Sequence, residues 1–275
     1  MRRPLLAAAA AAAALLLGVR ARAAAPVEIS PAIADPHQLV GGVGAMKAEY
    51  RTLAAFPEKL IFDMAWGMIG VGQATLEVED LVEFNGRAAY HIVSRALSNH
   101  FCDGFYKVRD INESWMDAET LTSLGYSKRL REGHFFRDEW ILNQNGKWVG
   151  KWAGRDGNFS VATGTAPIGV QDILSSMYFL RNKTLTPGTD IVLDVNTRQN
   201  WPLVIRVIKK ERVKTPAGRF DAFLVEPALR HEGIFVQKGN RLQLWLTDDP
   251  KHVPVMMKVE VFFGSITARL SKMVY

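Results

Sequence analysis

The stretch LIFDMAW, residues 60–66, decides the fold class, because its apolar side chains recur at every second position. Leu60, Phe62, Met64 and Trp66 lie on one face of an extended chain, since successive side chains of a strand point to opposite faces. Residues two apart do not share a face of a helix. The period of two therefore predicts a β-strand with one buried face.

The same alternation continues downstream, where short turn signals separate the strands. GMIGVG at residues 67–72 reverses the chain, and ATLEVE at residues 74–79 alternates again. Asn85-Gly86 and Asn145-Gly146 each favour a two-residue hairpin, because these residues tolerate the positive φ angles of a type I′ turn. We therefore expect the first half of the chain to be a meander of antiparallel hairpins.

One segment, residues 169–182, departs from the two-residue period, because its apolar side chains recur three and four positions apart. Asp172 stands in its first turn, Arg181 stands near its end, and Pro187-Gly188 follows. This order of charges suits the helix dipole. The segment predicts the one substantial helix of the protein, packed on a sheet or plugging it.

Strand-like patterns resume after this helix and bring the total to roughly a dozen strands. The pattern predicts an all-β, mainly antiparallel fold, either barrel-like or a sandwich. Residues 24–57 carry clustered Pro and Gly and little periodicity, which indicates an irregular N-terminal leader, with a short helix near residues 46–55. The β-rich domain then spans residues 58–275, either as one unit or as two β halves joined at the helix.

Residues 1–23 predict a cleavable signal peptide. Arg2 and Arg3 precede an apolar run at residues 5–19, and the small residues of Ala21-Arg22-Ala23 suit a signal peptidase. The apolar run is shorter than the roughly 20 residues that cross a bilayer. The only cysteine, Cys102, lies far from this segment, so we expect no lipid anchor and no internal disulfide. The expected compartment is the periplasm.

The charge of the mature chain argues against two classes of partner. The formal net charge of +6 includes four arginines within residues 1–23, so the mature chain carries about +2. A balance this close to neutral predicts neither a nucleic-acid partner nor binding to an anionic membrane surface. No transmembrane segment is expected after signal removal.

The familiar catalytic motifs are missing from the sequence. It contains no G-x-S-x-G, H-E-x-x-H or C-x-x-C pattern and no Walker loop, so we predict no catalytic residue and no organic cofactor. The histidines lack ligand spacing, so we predict no metal. A bound metal would instead point to a cluster of His231, Glu232, Asp248 and Asp249.

Two charged segments, residues 106–110 and 128–132, present basic and acidic side chains on neighbouring strands. One interpretation is cross-strand ion pairing on a solvated face, with the arginines paired to Asp110 and Glu132. The other is an arginine-lined groove for a carboxylate, a phosphate or a sugar. In the second interpretation the binding surface is formed by Tyr106, Arg109, Arg131 and Trp245, while Asp248 and Asp249 order the loop before Pro250.

Several phrases of the sequence resemble the bacterial exported-protein family catalogued as domain of unknown function 3108. They include YKVRDINESWMD at residues 106–117, QDILSSMYFLR at 171–181 and KTPAGRFDAFLVEP at 214–227. The most specific is WLTDD at residues 245–249 followed by Pro254-Val255. The resemblance covers residues 58–275 and implies export and an antiparallel β fold. It implies no catalytic residue.

These observations together predict an exported envelope protein that binds a lipid, a glycan or a protein partner without catalysis. The alternative is a periplasmic hydrolase or lyase that cleaves a cell-envelope glycan through two carboxylates. The carboxylates that the sequence offers for this role are Asp110, Glu132, Glu226 and Asp248.

Cleavage of the signal peptide is directly testable. N-terminal sequencing of the protein recovered from the periplasm should begin near Ala24, because the small residues before it form the cleavage site. Recovery of a chain with intact Met1 from the membrane pellet would contradict this prediction.

Overall fold

A computed structural model describes residues 35–41, 57–229, 241–260 and 264–275. These residues form one sheet of fifteen strands, two short α-helices and a 3-10 helix at Pro36–Leu39. The sequence-based prediction of an all-β, mainly antiparallel fold is confirmed, although the strands outnumber the predicted dozen.

The strands before the longer helix are β1 Val40–Gly41, β2 Glu58–Trp66, β3 Ile69–Phe84, β4 Arg87–Ser98, β5 Arg109–Asp117, β6 Ser123–Glu132, β7 Phe135–Gln144, β8 Lys147–Ala153 and β9 Phe159–Thr165. Those after it are β10 Asp190–Asn196, β11 Asn200–Thr215, β12 Gly218–Leu229, β13 Leu242–Thr247, β14 Pro254–Glu260 and β15 Ser265–Val274.

The sheet is a single antiparallel path that does not close on itself. Its order runs from β10 through β15 to β2 and then to β9, while β1 pairs with β3 beside this path. Among the described strands, β9 and β10 are therefore the two edges. A closed barrel, one of the architectures that the strand count suggests, is not formed.

The two predicted Asn-Gly turns are confirmed, as is the turn after residue 66. Asn85 and Gly86 have φ angles of 49° and 80°, and Asn145 and Gly146 have φ angles of 51° and 74°. Positive φ at both central positions matches the right-handed twist of the flanking strands. These tight turns fix the register of β3 with β4 and of β7 with β8.

The predicted helix is present but shorter than expected. Helix α1, His100–Asp103, is a single turn that the sequence pattern did not reveal, and helix α2 spans Ile173–Arg181 rather than residues 169–182. Gly169 has a φ of 84°, and Gln171 forms a bridge with Val195, so the chain before α2 is not helical. The Asp172 side chain accepts the N–H groups of the first turn and caps the helix.

Helix α2 lies against strands from both ends of the sheet. Leu180 packs with the core of β10 to β14, whereas Ile173, Leu174 and Tyr178 pack with the core of β3 to β6. The curled sheet therefore wraps around the helix, which is why an open sheet of this length encloses a core. At the end of α2, the buried Arg181 guanidinium donates to both oxygens of the buried Glu58 at 2.6 and 2.9 Å.

Several sequence-based predictions concern residues outside the described ranges, namely the signal peptide, the helix near residues 46–55, and His231 and Glu232. Of the leader, residues 35–41 pack on the domain, because β1 pairs with β3 and His37 contacts Glu113 at 2.7 Å. Within the described part of the chain, no helix is both long and apolar enough to cross a membrane.

The buried ion pair should have a large effect on stability. In Glu58→Gln the Arg181 charge stays buried without its counter-charge, so the free energy of unfolding should fall by about 3–5 kcal/mol in urea titrations. Replacing both partners in Glu58→Gln/Arg181→Met should recover much of this loss. As a control on the same strand as Glu58, Lys59→Met removes a more exposed pair with Glu77 of β3 and should cost less than about 1 kcal/mol. A loss in Glu58→Gln no larger than in this control would contradict the prediction.

Candidate functional site

An apolar cavity lies inside the curled sheet, beside helix α2. Its volume is about 90 Å³, and the few polar side chains on its walls include Thr75, Ser94 and Ser176. The walls come from α2 and from strands of both halves of the sheet, so the cavity exists only in the assembled fold. Its apolar walls include Phe62, Leu76, Ala96, Ile173, Met177, Leu203, Leu244 and Ala268.

A second cavity, of about 590 Å³, is larger but is built differently. Its walls are mainly turns, such as Asn85, Asn145 and residues 166–170, and it includes polar side chains such as Thr120 and Gln144. We place the candidate site in the smaller cavity, because regular elements hold its walls and because ligand pockets are predominantly apolar with a few polar groups.

One row of cross-strand neighbours leads away from the apolar cavity and changes from apolar to charged. We call it the inner row, and directly paired residues in it share one face of the sheet. Leu76 and Ser94 line the cavity, and the row becomes charged two strands further on. The inner row consists of Leu60, Leu76, Ser94, Asn112, Lys128, Glu139 and Trp152.

The charged end of the inner row is a cluster of three cations and one carboxylate, in which Lys128 and Glu139 are buried and Arg137 and Arg198 are partly exposed. Glu139 is buried, and its carboxylate lies 3.8 Å from Lys128 Nζ and 3.6 Å from Arg198 Nε. Neither carboxylate oxygen has a hydrogen-bond donor among the described residues. Burial lowers the pKa of Lys128, and burial together with repulsion from Arg198 lowers the pKa of Arg137. We call Lys128, Arg137, Glu139 and Arg198 the cation cluster.

A second buried group lies beside the cation cluster. Asp110 and Glu132 are buried and interact directly, and Asp110 also accepts the backbone N–H of Arg131 at 2.8 Å. Burial and the neighbouring Asp110 raise the pKa of Glu132 to about 9, so the pair holds one proton and one negative charge near neutral pH. The half-buried Tyr106 hydroxyl has no hydrogen-bond partner among the described residues, and burial raises its pKa.

The prediction that the segments 106–110 and 128–132 form one solvated, ion-paired face is wrong. Asp110, Lys128 and Glu132 are buried, because alternate residues of a strand point to opposite faces of the sheet. Arg109 and Arg131 do form ion pairs, but with Asp103 and Asp138 rather than with Asp110 and Glu132.

The six residues predicted to form a binding surface fall into two groups that lie far apart along the sheet. Tyr106, Arg109 and Arg131 belong to the region of β5 and β6. Trp245, Asp248 and Asp249 belong to the end of β13, six strands away in the order of the sheet. None of the six lines either cavity described above.

Each member of the β13 group has a partner within the protein. Trp245 is buried and donates its indole N–H to Glu211 at 2.8 Å, and Asp248 pairs with Lys210 at 2.7 Å. Asp249 accepts the N–H groups of Lys251 and His252 and thereby orders the loop, which is the role that the sequence predicted for it.

The carboxylates predicted for a hydrolase are only partly brought together. Asp110 and Glu132 are neighbours, whereas Glu226 accepts from Gln243 and pairs with Arg241, and Asp248 lies at the β13 end. Glycoside hydrolases keep their two carboxyl groups at least about 5 Å apart so that the sugar lies between them. The direct contact of Asp110 with Glu132 leaves no such gap. Among the described residues, no group of His, Cys, Asp and Glu is arranged to hold a metal.

A family model described as "Protein of unknown function (DUF3108)" matches residues 61–271. The chain belongs to this family. A search of curated proteins gave no significant match. Among solved structures, the chain is similar to a β-barrel-like protein of domain of unknown function DUF1849 from Brucella abortus, at 13% identity and a TM-score of 0.55, over 79% of this chain and 97% of that one. A protein described as a "putative lipoprotein" from Parabacteroides distasonis covers 79% of this chain and 95% of its own, at 10% identity and a TM-score of 0.29.

The family match confirms the resemblance seen in the sequence, and the Brucella similarity supports the fold alone. Sequence reasoning missed the cavity and the cation cluster of this family member, because their residues come from distant strands. One signal was present in the sequence. Lys128 and Glu132 lie on the same face of a strand as Leu130, and the opposite face of that strand carries arginines. Because both faces carry charged side chains, one of them had to point inward.

The raised pKa of Glu132 predicts a pH dependence of stability. The folded protein keeps a proton on Glu132 that the unfolded chain releases above its ordinary pKa of 4.5, so stability should fall as the pH rises from 4.5 to about 9. In Glu132→Gln, an uncharged residue of similar shape, the melting temperature should fall less steeply across this range. Thermal unfolding followed by circular dichroism at several pH values measures the slope.

The exposed Asp138→Asn serves as the control and should keep the wild-type slope. His37 adds to the same slope in all three proteins, because its hydrogen bond to Glu113 raises its pKa from 6.5 to about 9 and this stabilisation is lost as the pH rises. The difference between variants therefore isolates Glu132. An unchanged slope in Glu132→Gln would contradict the assignment.

Proposed function

We propose that this chain is an exported, non-catalytic envelope protein that binds the apolar chain of a lipid inside its curled sheet. The observation that carries the proposal is the apolar cavity between α2 and both halves of the sheet. A lipid is favoured over a glycan because sugar hydroxyls need polar partners, and a buried unpaired hydroxyl costs free energy. The proposed compartment is the periplasm, on the evidence of the signal-like residues 1–23.

The size of the cavity limits what it accepts without rearrangement. Its volume of about 90 Å³ is below the range of roughly 300–1,000 Å³ that is typical of small-molecule pockets. It therefore accommodates the end of one hydrocarbon chain, and a longer chain requires the side chains around it to move. Met177 on α2 suits such adjustment, because its unbranched side chain has several rotatable bonds.

Helix α2 forms one wall of the apolar cavity and is fixed at both ends. At its start, Asp172 accepts from the Ser114 hydroxyl at 2.6 Å, and at its end Arg181 pairs with Glu58. Expansion of the cavity therefore proceeds by repacking of side chains, or by release of one of these two attachments.

Filling the cavity tests the proposal. Ala96→Leu adds three carbons to a wall residue, so the affinity for a neutral apolar dye such as N-phenyl-1-naphthylamine should fall by about tenfold, which corresponds to about 1.4 kcal/mol. Fluorescence titration measures the dissociation constants. Ala65→Leu on β2 lies outside the cavity walls and should bind the dye as the wild type does.

Native mass spectrometry of protein purified from its own periplasm provides a second measurement, in which a co-purifying lipid is expected. Absence of dye binding in the wild type, or equal affinity in the wild type and in Ala96→Leu, would contradict the proposal.

A further inference from the structure

We infer that the ligand is an anionic amphiphile whose carboxylate or phosphate head binds at the cation cluster while its chain occupies the apolar cavity. This inference rests on the proposed function and adds the class of head group. It is carried by the geometry of the inner row, which joins an apolar cavity to a buried group of cations on one face of the sheet.

The first supporting observation is the incomplete pairing within the cation cluster. Glu139 is only 2% exposed, yet its contacts with Lys128 and Arg198 are 3.8 and 3.6 Å long, beyond the usual length of a charge-assisted hydrogen bond. The Lys128 ammonium carries three donors and the Arg198 guanidinium carries five. One carboxylate at these distances leaves most of these donors available to a second anion.

The second observation is an imbalance of charge in a region where Lys128, Glu139, Asp110 and Glu132 are buried and two arginines are partly exposed. Lys128, Arg137 and Arg198 face the single carboxylate of Glu139, and the neighbouring pair of Asp110 and Glu132 contributes one negative charge because it shares a proton. One positive charge is therefore in excess. Buried charges are normally paired, since an unpaired ion in a medium of low polarity is costly. An anionic head group supplies the missing charge.

The third observation is the backbone of Arg198, which has a φ of 81° in the turn between β10 and β11. Positive φ is uncommon for a residue with a long side chain and is concentrated at functional sites. The turn is held by Asn196, which accepts the Arg198 N–H, and by Asn200, which donates to Thr165 on the opposite edge strand. This conformation brings the guanidinium of Arg198 over the Trp152 ring, 5.3 Å from its centroid.

The spacing between the two parts of the proposed site matches one molecule. Ser94 lines the cavity, and Lys128 lies two strands further along the inner row, so their backbones are about 10 Å apart. Ser94 and Asn112 lie between the apolar and charged parts and provide polar contacts for the region where a chain meets its head group. Arg137 and Arg198 are partly exposed, which gives the head access to solvent.

The experiment compares probes that share one chain and differ in the head. Dodecyl phosphate and dodecanoate carry anionic heads, dodecanol is neutral, and dodecyltrimethylammonium is cationic. Isothermal titration calorimetry below the micelle concentrations should show both anionic probes binding at least about tenfold more tightly than dodecanol, with the cationic probe weakest. Inorganic phosphate alone should bind far more weakly, because it lacks the chain.

Two variants test whether the cation cluster causes this preference. Lys128→Met removes the excess positive charge while Glu139 keeps its contact with Arg198, and Arg198→Gln removes a partly exposed cation while keeping a long side chain. Both should lower the preference for dodecyl phosphate over dodecanol about tenfold and leave dodecanol binding unchanged. The matched controls are Lys209→Met and Arg206→Gln, which alter exposed cations of β11. Unchanged melting temperatures establish that the variants are folded.

The outcomes separate the inference from the proposed function. Equal binding of dodecanol and dodecyl phosphate would overturn the inference while the chain site stands. Binding of inorganic phosphate as tightly as dodecyl phosphate would also overturn it, since the site would then accept a free anion. Failure of all four chain-bearing probes to bind would overturn the proposed function itself.

Discussion

The attachment of helix α2 inside the curled sheet is the constraint on which the rest of the structure depends. Among the described strands the sheet has two edges, β9 and β10, so hydrogen bonds between these strands alone do not close it. Closure comes from the helix, whose first turn is fixed to β5 through Asp172 and Ser114 and whose last residue, Arg181, is paired with Glu58 on β2. A buried ion pair offsets the cost of desolvation only when its geometry is good. The bidentate contact of Arg181 with Glu58 therefore fixes the position of helix α2 relative to β2. The cavity follows from this placement, since α2 forms one of its walls.

The interior of the protein is divided by polarity in a way that a core evolved only for stability would not need. Apolar side chains of β10 to β14 pack around the end of the helix at Leu180, whereas β5 to β7 direct Asp110, Lys128, Glu132 and Glu139 to the same interior. In other proteins, replacement of buried charged groups by apolar residues of similar size often leaves the free energy of unfolding unchanged or raises it. The inner row of paired residues runs from the apolar region to the charged region without a break.

Particular elements show how far the sequence allowed prediction. The alternation in LIFDMAW and the two Asn-Gly turns gave the correct strands and hairpins, because side-chain period and turn geometry are local properties. The helix was located correctly but predicted too long, since the bridge of Gln171 with Val195 depends on a strand more than twenty residues away. The surface assigned to Tyr106, Arg109, Arg131, Trp245, Asp248 and Asp249 was assembled from residue types alone. The structure places these residues in two separate regions, most of them in contact with partners of their own.

The sequence by itself determined the fold class, the tight turns, the one substantial helix of the described residues and the family, because each is encoded in short stretches whose pattern does not depend on distant residues. Only the tertiary structure decided which of the two charged faces of β5 and β6 points inward. Both faces carry ions, so the local pattern is nearly symmetric, and the choice is made by how the sheet curls around α2. The cavity and the cation cluster likewise combine residues from the two halves of the chain, as in the approach of Arg198 to Glu139. Their existence depends on long-range curvature, which no local pattern of residues specifies.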